Sequence, residues 1–126
     1  MNVTIPEDRK FLKELNAGTS ALVLLGVVGS APEPMYGYQI AKLIDTGSED
    51  VPMMKQGALY PVLRSLEKTG LLESTVEPSV TGPPRRYYRI TEKGRAALGR
   101  WSELWNRNRR VVDSVLKGKH HDQSDR

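Results

Sequence analysis

Lys55, Gln56, Tyr60 and Arg64 bring an ammonium, an amide, a phenol and a guanidinium to one side of a predicted helix. Such groups meet nucleic acid in different ways. A glutamine can hold adenine through two hydrogen bonds, whereas lysine and arginine pair with phosphates in a manner that salt screens. A second basic pair, Arg85-Arg86, follows Pro83-Pro84. Two indoles, Trp101 and Trp105, stand one helical turn apart, with Arg109 one turn further on. Hydrolytic chemistry is poorly served. The histidines, His120 and His121, fall in a polar tail, cysteine is absent, and there is neither a phosphate-cradling glycine loop nor metal-ligand spacing. The chain therefore reads as a non-enzyme with no catalytic residue, no metal and no cofactor.

The helix that carries the first group lies in residues 54–70, MKQGALYPVLRSLEKTG. Ala58, Leu59, Val62, Leu63 and Leu66 recur at helical spacing and predict a buried face, which leaves Lys55, Gln56, Tyr60, Arg64 and Lys68 opposite. Pro61 suits a position near the helix start, and Gly70 suits its end. A polar first turn over an apolar underside is the form of a DNA recognition helix, and equally of an ordinary surface helix. Before it, Pro6, Glu7 and Asp8 predict a short helix with Phe11, Leu12 and Leu15 as its stripe, broken at Gly18. A second helix over residues 20–28 is almost wholly apolar. A cap at Thr19 or Ser20 and the Ala-Leu content favour helix there over a buried strand. Residues 29–34 read as a turn. A third helix, residues 36–45, has Tyr38, Ile40, Ala41, Leu43 and Ile44 on one side and Lys42 pointing away.

After Gly70 the period shortens to two. Residues 71–76 and 87–90 predict a hairpin, with Arg85 and Arg86 at its tip or just inside it. A stiff basic hairpin beside a recognition helix is a wing, whose arginines can meet phosphates or a narrow minor groove. Thr91 can cap a final helix over residues 92–116, about 35–40 Å long. Its stripe runs Ala97, Trp101, Leu104, Asn108, Val111, Val115, widened by Leu98, Trp105 and Val112. So long a helix has little domain left to pack on. A four-three stripe with one buried asparagine is how a helix pairs with its own copy. The expected interface of a two-fold dimer comprises these residues, with Phe11, Leu12 and Leu15 covering the partner's long helix.

Composition sets limits on partners. The chain has 126 residues, 38% hydrophobic, with net charge +4 and a pI near 9.5. That is one domain, polar enough to draw part of its core from a second copy, and basic enough to favour polyanions. No signal peptide is evident, and the longest apolar run, residues 21–28, is far short of a bilayer span. A soluble, cytoplasmic protein with no membrane partner is expected.

The order of motifs resembles one family. Gly37-Tyr38-Gln39-Ile40, then residues 57–68 (GALYPVLRSLEK), Gly70-Leu71-Leu72, and residues 84–94 (PRRYYRITEKG) are similar to the PadR family of bacterial transcriptional regulators over about residues 20–116. The resemblance implies a mainly α fold with a small β-hairpin, a winged helix-turn-helix with a long C-terminal dimerisation helix. It divides the chain into an N-terminal extension (1–17), a DNA-binding domain (18–91), a dimerisation helix (92–117) and a disordered tail (118–126). It also implies a homodimeric repressor on double-stranded DNA, relieved by a small molecule. A winged-helix module that binds protein instead is the rival reading.

Carried over by position, the family's DNA contacts fall on Lys55, Gln56, Tyr60, Arg64, Arg85 and Arg86, with Tyr38 and Lys42 as supporting phosphate contacts. In multidrug-sensing members a tryptophan of the last helix pairs with its copy around planar drugs, and Trp105 is the matching residue. Trp101 is core or pocket wall. Those members carry an acid one turn later, where this chain has Arg109 and, beside it, Arg110. The resemblance thus implies a small aromatic effector that is anionic or neutral, bound by Trp101, Trp105 and Arg109. Packing alone is the other reading of the two indoles.

Overall fold

A computed structural model describes residues 5–45 and 56–118. In chain order its elements are α1 (Pro6–Ser30), β1 (Met35–Tyr36), α2 (Gly37–Asp45), α3 (Gln56–Lys68), β2 (Leu72–Glu77), β3 (Arg85–Ile90) and α4 (Glu92–Leu116). The strands form one antiparallel sheet in the order β1-β3-β2. Met35 pairs with Tyr88 and Leu72 with Ile90. The fold is mainly α with a winged-helix hairpin, as expected. The loop expected from Thr46 to Met54, Lys55, and the tail beyond residue 118 lie outside the described residues.

Two helices were expected before the first turn, and there is one. Gly18 does not break α1. The hydroxyls of Thr19 and Ser20 do not cap a new helix but donate to the Leu15 and Ala17 carbonyls, 3.1 and 3.5 Å away, inside a continuous one. Glycine inside a helix costs roughly 1 kcal/mol against alanine, too little to outweigh the apolar residues that follow. The expected division at residue 17/18 thus falls within α1. Its first turn is as read, with Pro6 leading and Glu7 and Asp8 behind it. Gly29 and Ser30 finish the helix rather than begin the turn. The strand β1 went unread because two residues are too few to show a period.

The core is built where α1 meets α3, β3 and α4. Leu24, Leu25, Ile40, Leu59, Leu63 and Leu72 are fully buried in it. Once its charged first turns are passed, α1 is long and apolar enough to cross a bilayer by length and composition alone, which corrects the count from residues 21–28. Its apolar window has mean hydropathy 1.4, and 22% of it is buried within the chain. Leu24, Leu25 and Val28 place this helix in a packed core; Phe11 and Leu15 are left exposed.

The end of α3 is set by Gly70, at φ +81°. The Leu71 N–H reaches back to the Leu66 carbonyl (2.9 Å) and the Gly70 N–H to Glu67 (3.0 Å), a Schellman closure. α4 starts against that closure. The Thr91 hydroxyl accepts from the Gly94 N–H (3.0 Å) and donates to the Gly70 carbonyl (2.6 Å), while Lys93 Nζ donates to the Thr69 carbonyl (2.8 Å). The first turn of α4 therefore caps the last turn of α3.

Candidate nucleic-acid interface

α3 turns Leu59, Leu63 and Leu66 inward and leaves Tyr60, Arg64 and Lys68 outward, as its spacing requires. Ala58, expected inside, is exposed, because the buried stripe begins only at Leu59. Pro61 lies inside the helix, past the first turn, where it withholds the amide that Gly57 would otherwise receive. Gln56 opens the helix.

α2 leads into this helix and is started by its own side chain. Gln39 Oε1 accepts from the Tyr36 N–H (3.1 Å), the return half of a capping box. Tyr38 and Lys42 are exposed one turn apart, with Lys42 Nζ 5.8 Å from the Tyr38 ring centre. Tyr36 stacks beside Tyr38 at 6.5 Å and meets Tyr87 edge-on at 5.4 Å. An open groove of about 770 Å³ runs from Ala31 and Pro34 past Tyr36, Tyr38 and Lys42. Trp105 is not part of it.

Both wing arginines lie just inside the hairpin, in β3, and the turn itself is formed by residues 78–84. Each already has a partner within the chain. The Arg85 guanidinium sits 4.5 Å over the Tyr36 ring. Arg86 Nη1 donates to Ser74 Oγ (2.9 Å), and that hydroxyl donates to Glu67 Oε2 of α3 (2.5 Å). Wing and helix are thus joined by a short polar chain. Beneath it lies Tyr88, whose phenol is pushed above its usual pKa by burial and by Glu67, and pulled back by Arg86 and Arg64. Cations of α3 and of the wing therefore both act on this phenol. Ser74, Glu67 and Tyr36 were missed in the sequence. The signals available were the inward phase of Ser74 in β2 and the three-residue step from Tyr36 to Gln39.

The long helix behaves differently along its length. Ala97 is buried, and Leu98 and Trp101 pack on the domain's own core. Beyond them Leu104, Trp105, Val111, Val112 and Val115 are exposed along one side, together with Asn108. Leu12 of α1 is half-buried. Arg109 pairs with Asp113 at 3.6 Å, so its charge is partly answered within the helix. Among the described residues no cluster of acidic, histidine or cysteine side chains could hold a metal.

The family described as the transcriptional regulator PadR-like family matches residues 24–100. The chain belongs to the PadR family. A curated protein of Lysinibacillus sphaericus is 31% identical over 83 residues, which span 66% of this chain and 76% of that protein. The crystal structure of a PadR-family regulator from Eggerthella lenta superposes with a TM-score of 0.72 at 32% identity, covering 86% of this chain and 90% of that one. A PadR-like regulator from Bacillus cereus gives 0.69 at 28% identity, over 83% and 98%. This PadR-family chain is accordingly a DNA-binding transcriptional regulator with a winged-helix fold.

Proposed function

We propose that this protein is a homodimeric repressor that reads its operator with α3 and the wing and is released by a small aromatic ligand at the dimer interface. The observation that carries the DNA-binding face is the polar chain from Arg86 of β3 through Ser74 to Glu67 of α3, which holds the wing beside the helix whose exposed side carries Arg64. Gln56, at the head of α3, has the chemistry to read a base edge, and Lys55, Arg64, Arg85 and Arg86 supply phosphate contacts. Tyr38 and Lys42 add contacts from α2. Dimerisation rests on the exposed apolar side of α4, together with Phe11 and Leu15 of α1. A two-fold dimer calls for inverted half-sites about one helical turn, roughly 34–36 Å, apart or a multiple of it.

Release follows from how α4 meets α3. Trp105 lies on the unpartnered part of α4, and the other end of α4 caps α3 through Thr91 and Lys93. A ligand held between two copies of Trp105 shifts α4, and the bonds from Thr91 and Lys93 pass that shift to the end of α3. Arg109 and Arg110 favour an anionic or neutral aromatic over a cation. The test is binding of the purified protein to DNA from immediately upstream of its own gene, across a salt series, with random duplex as control. Preferential binding as a dimer, weakened by aromatic acids that quench tryptophan fluorescence, supports the proposal. Equal weak binding to both duplexes removes the operator reading.

A further inference from the structure

Tyr60 stands among the residues that the family resemblance assigns to DNA, yet its position suits a different task. A Cβ built on Gly37, the first residue of α2, would lie 2.5 Å from Tyr60 Cε1, 2.6 Å from its hydroxyl oxygen and 2.8 Å from Cζ. Real Cβ atoms do not approach other atoms so closely, so a side chain at this position would push the ring tip off its seat. The atoms involved are those at the tip of the ring, the part that would have to extend outward to reach a base. That tip is turned against the backbone of α2, and only 37% of the residue is exposed although it stands on the outer side of α3. Gly37 itself is buried. Its lack of a side chain is needed for this approach and for no unusual backbone angle, since its φ is not positive.

We infer that Tyr60 is a positioning residue: its ring, seated on the bare backbone of Gly37, fixes how α2 and α3 cross and thereby aims the head of α3. The inference rests on the reading of α3 as the recognition helix. It runs against two simpler expectations. Helix propensity alone makes Gly37→Ala neutral or stabilising. A phenol that touches DNA makes Tyr60→Phe costly.

The experiment starts from a duplex selected out of a random-sequence library by the wild-type protein, with the unselected library as control. Tyr60→Phe keeps the ring and is expected to bind the selected duplex within about twofold of wild type, with the same salt dependence. Gly37→Ala is expected to lose at least about tenfold on the selected duplex while its weak binding to the library and its salt slope stay put, as befits lost aim rather than lost charge. Tyr60→Ala empties the same seat and is expected to lose a comparable factor, so the combination of Gly37→Ala with Tyr60→Ala should bind no worse than the weaker single variant, the sign of a direct coupling. The inference is overturned if Tyr60→Phe costs as much as Tyr60→Ala, if Gly37→Ala binds like wild type, or if the double variant loses the product of the two single losses. Failure of the wild type to select any consensus would sink the operator reading instead. The contact is then judged without DNA, by backbone amide NMR shifts over residues 59–66. Gly37→Ala and Tyr60→Ala should each move them, and the double variant no further than the larger of the two; no movement overturns the inference.

Discussion

Replacing Leu104 by aspartate should separate the dimer while leaving the protomer folded. Leu104 is 56% exposed in the protomer, so the fold draws little from it, and exposed substitutions usually cost within about 0.5 kcal/mol. Full burial of a leucine is worth about 1.5–3 kcal/mol. The exposed share that a partner would cover is then roughly 1–1.5 kcal/mol, and two-fold symmetry counts it twice. Each copy of the variant also places a carboxylate in an apolar seam, at about 1–3 kcal/mol on mutational scales. The sum is about 4–9 kcal/mol, a weakening of dimerisation by at least about a thousandfold. Sedimentation equilibrium over a wide concentration range reads this directly, and a urea melt confirms the fold. An internal control comes from pH. An aspartate carboxyl protonates near 3.9, so lowering the pH toward 4 should restore part of the association. Leu104→Met keeps volume and apolarity and should dimerise like wild type. A wild-type chain that stays monomeric at high concentration refutes the reasoning, as does a Leu104→Asp chain that associates as tightly as wild type.

Removing the guanidinium of Arg86 should weaken binding to all duplexes alike and lower the salt slope by about 0.9, the share of one phosphate contact; an unchanged slope in a binding titration takes the wing arginine out of the interface. Because burial raises the Tyr88 pKa, the folded state holds that proton longer than the unfolded chain does. The resulting stability is complete below pH 10 and falls away as pH climbs through the raised value. Urea midpoints measured upward from pH 9 should fall, and Tyr88→Phe should fall less; parallel losses would contradict the assignment. Thr91→Ala loses both the cap on Gly94 and the bond to Gly70, and should cost about 1–2 kcal/mol in a denaturant melt without altering dimerisation.

Much of this molecule was legible before any coordinates. The start of α1 at Pro6 and the full span of α4 with its Thr91 cap follow from signals only a few residues apart. So do the inward leucines of α3 and its closure at Gly70. Such signals act through one or two helical turns of backbone, so the residues that carry them lie next to one another in the sequence. The motif order placed the chain in the PadR family for the same reason. The misreadings are also local. Gly18, Thr19 and Ser20 resemble a break and a cap, and only the packing of Leu24 and Leu25 on α3, β3 and α4 made one helix the better solution.

What tertiary structure alone decided are relations between residues far apart in the chain. The Arg85 guanidinium lies on Tyr36, Arg86 reaches Glu67 through Ser74, and Leu98 and Trp101 turn inward while Trp105 remains 41% exposed. The seat of Tyr60 on Gly37 belongs with them. Periodicity states which face of an element is apolar. It is silent on which neighbour covers that face, because the neighbour is chosen by the shape of all the packed elements together. The sequence by itself determined most of the elements and the kinds of groups this regulator carries; the packing joined α1 into one helix and determined which of those groups hold the fold and which face outward.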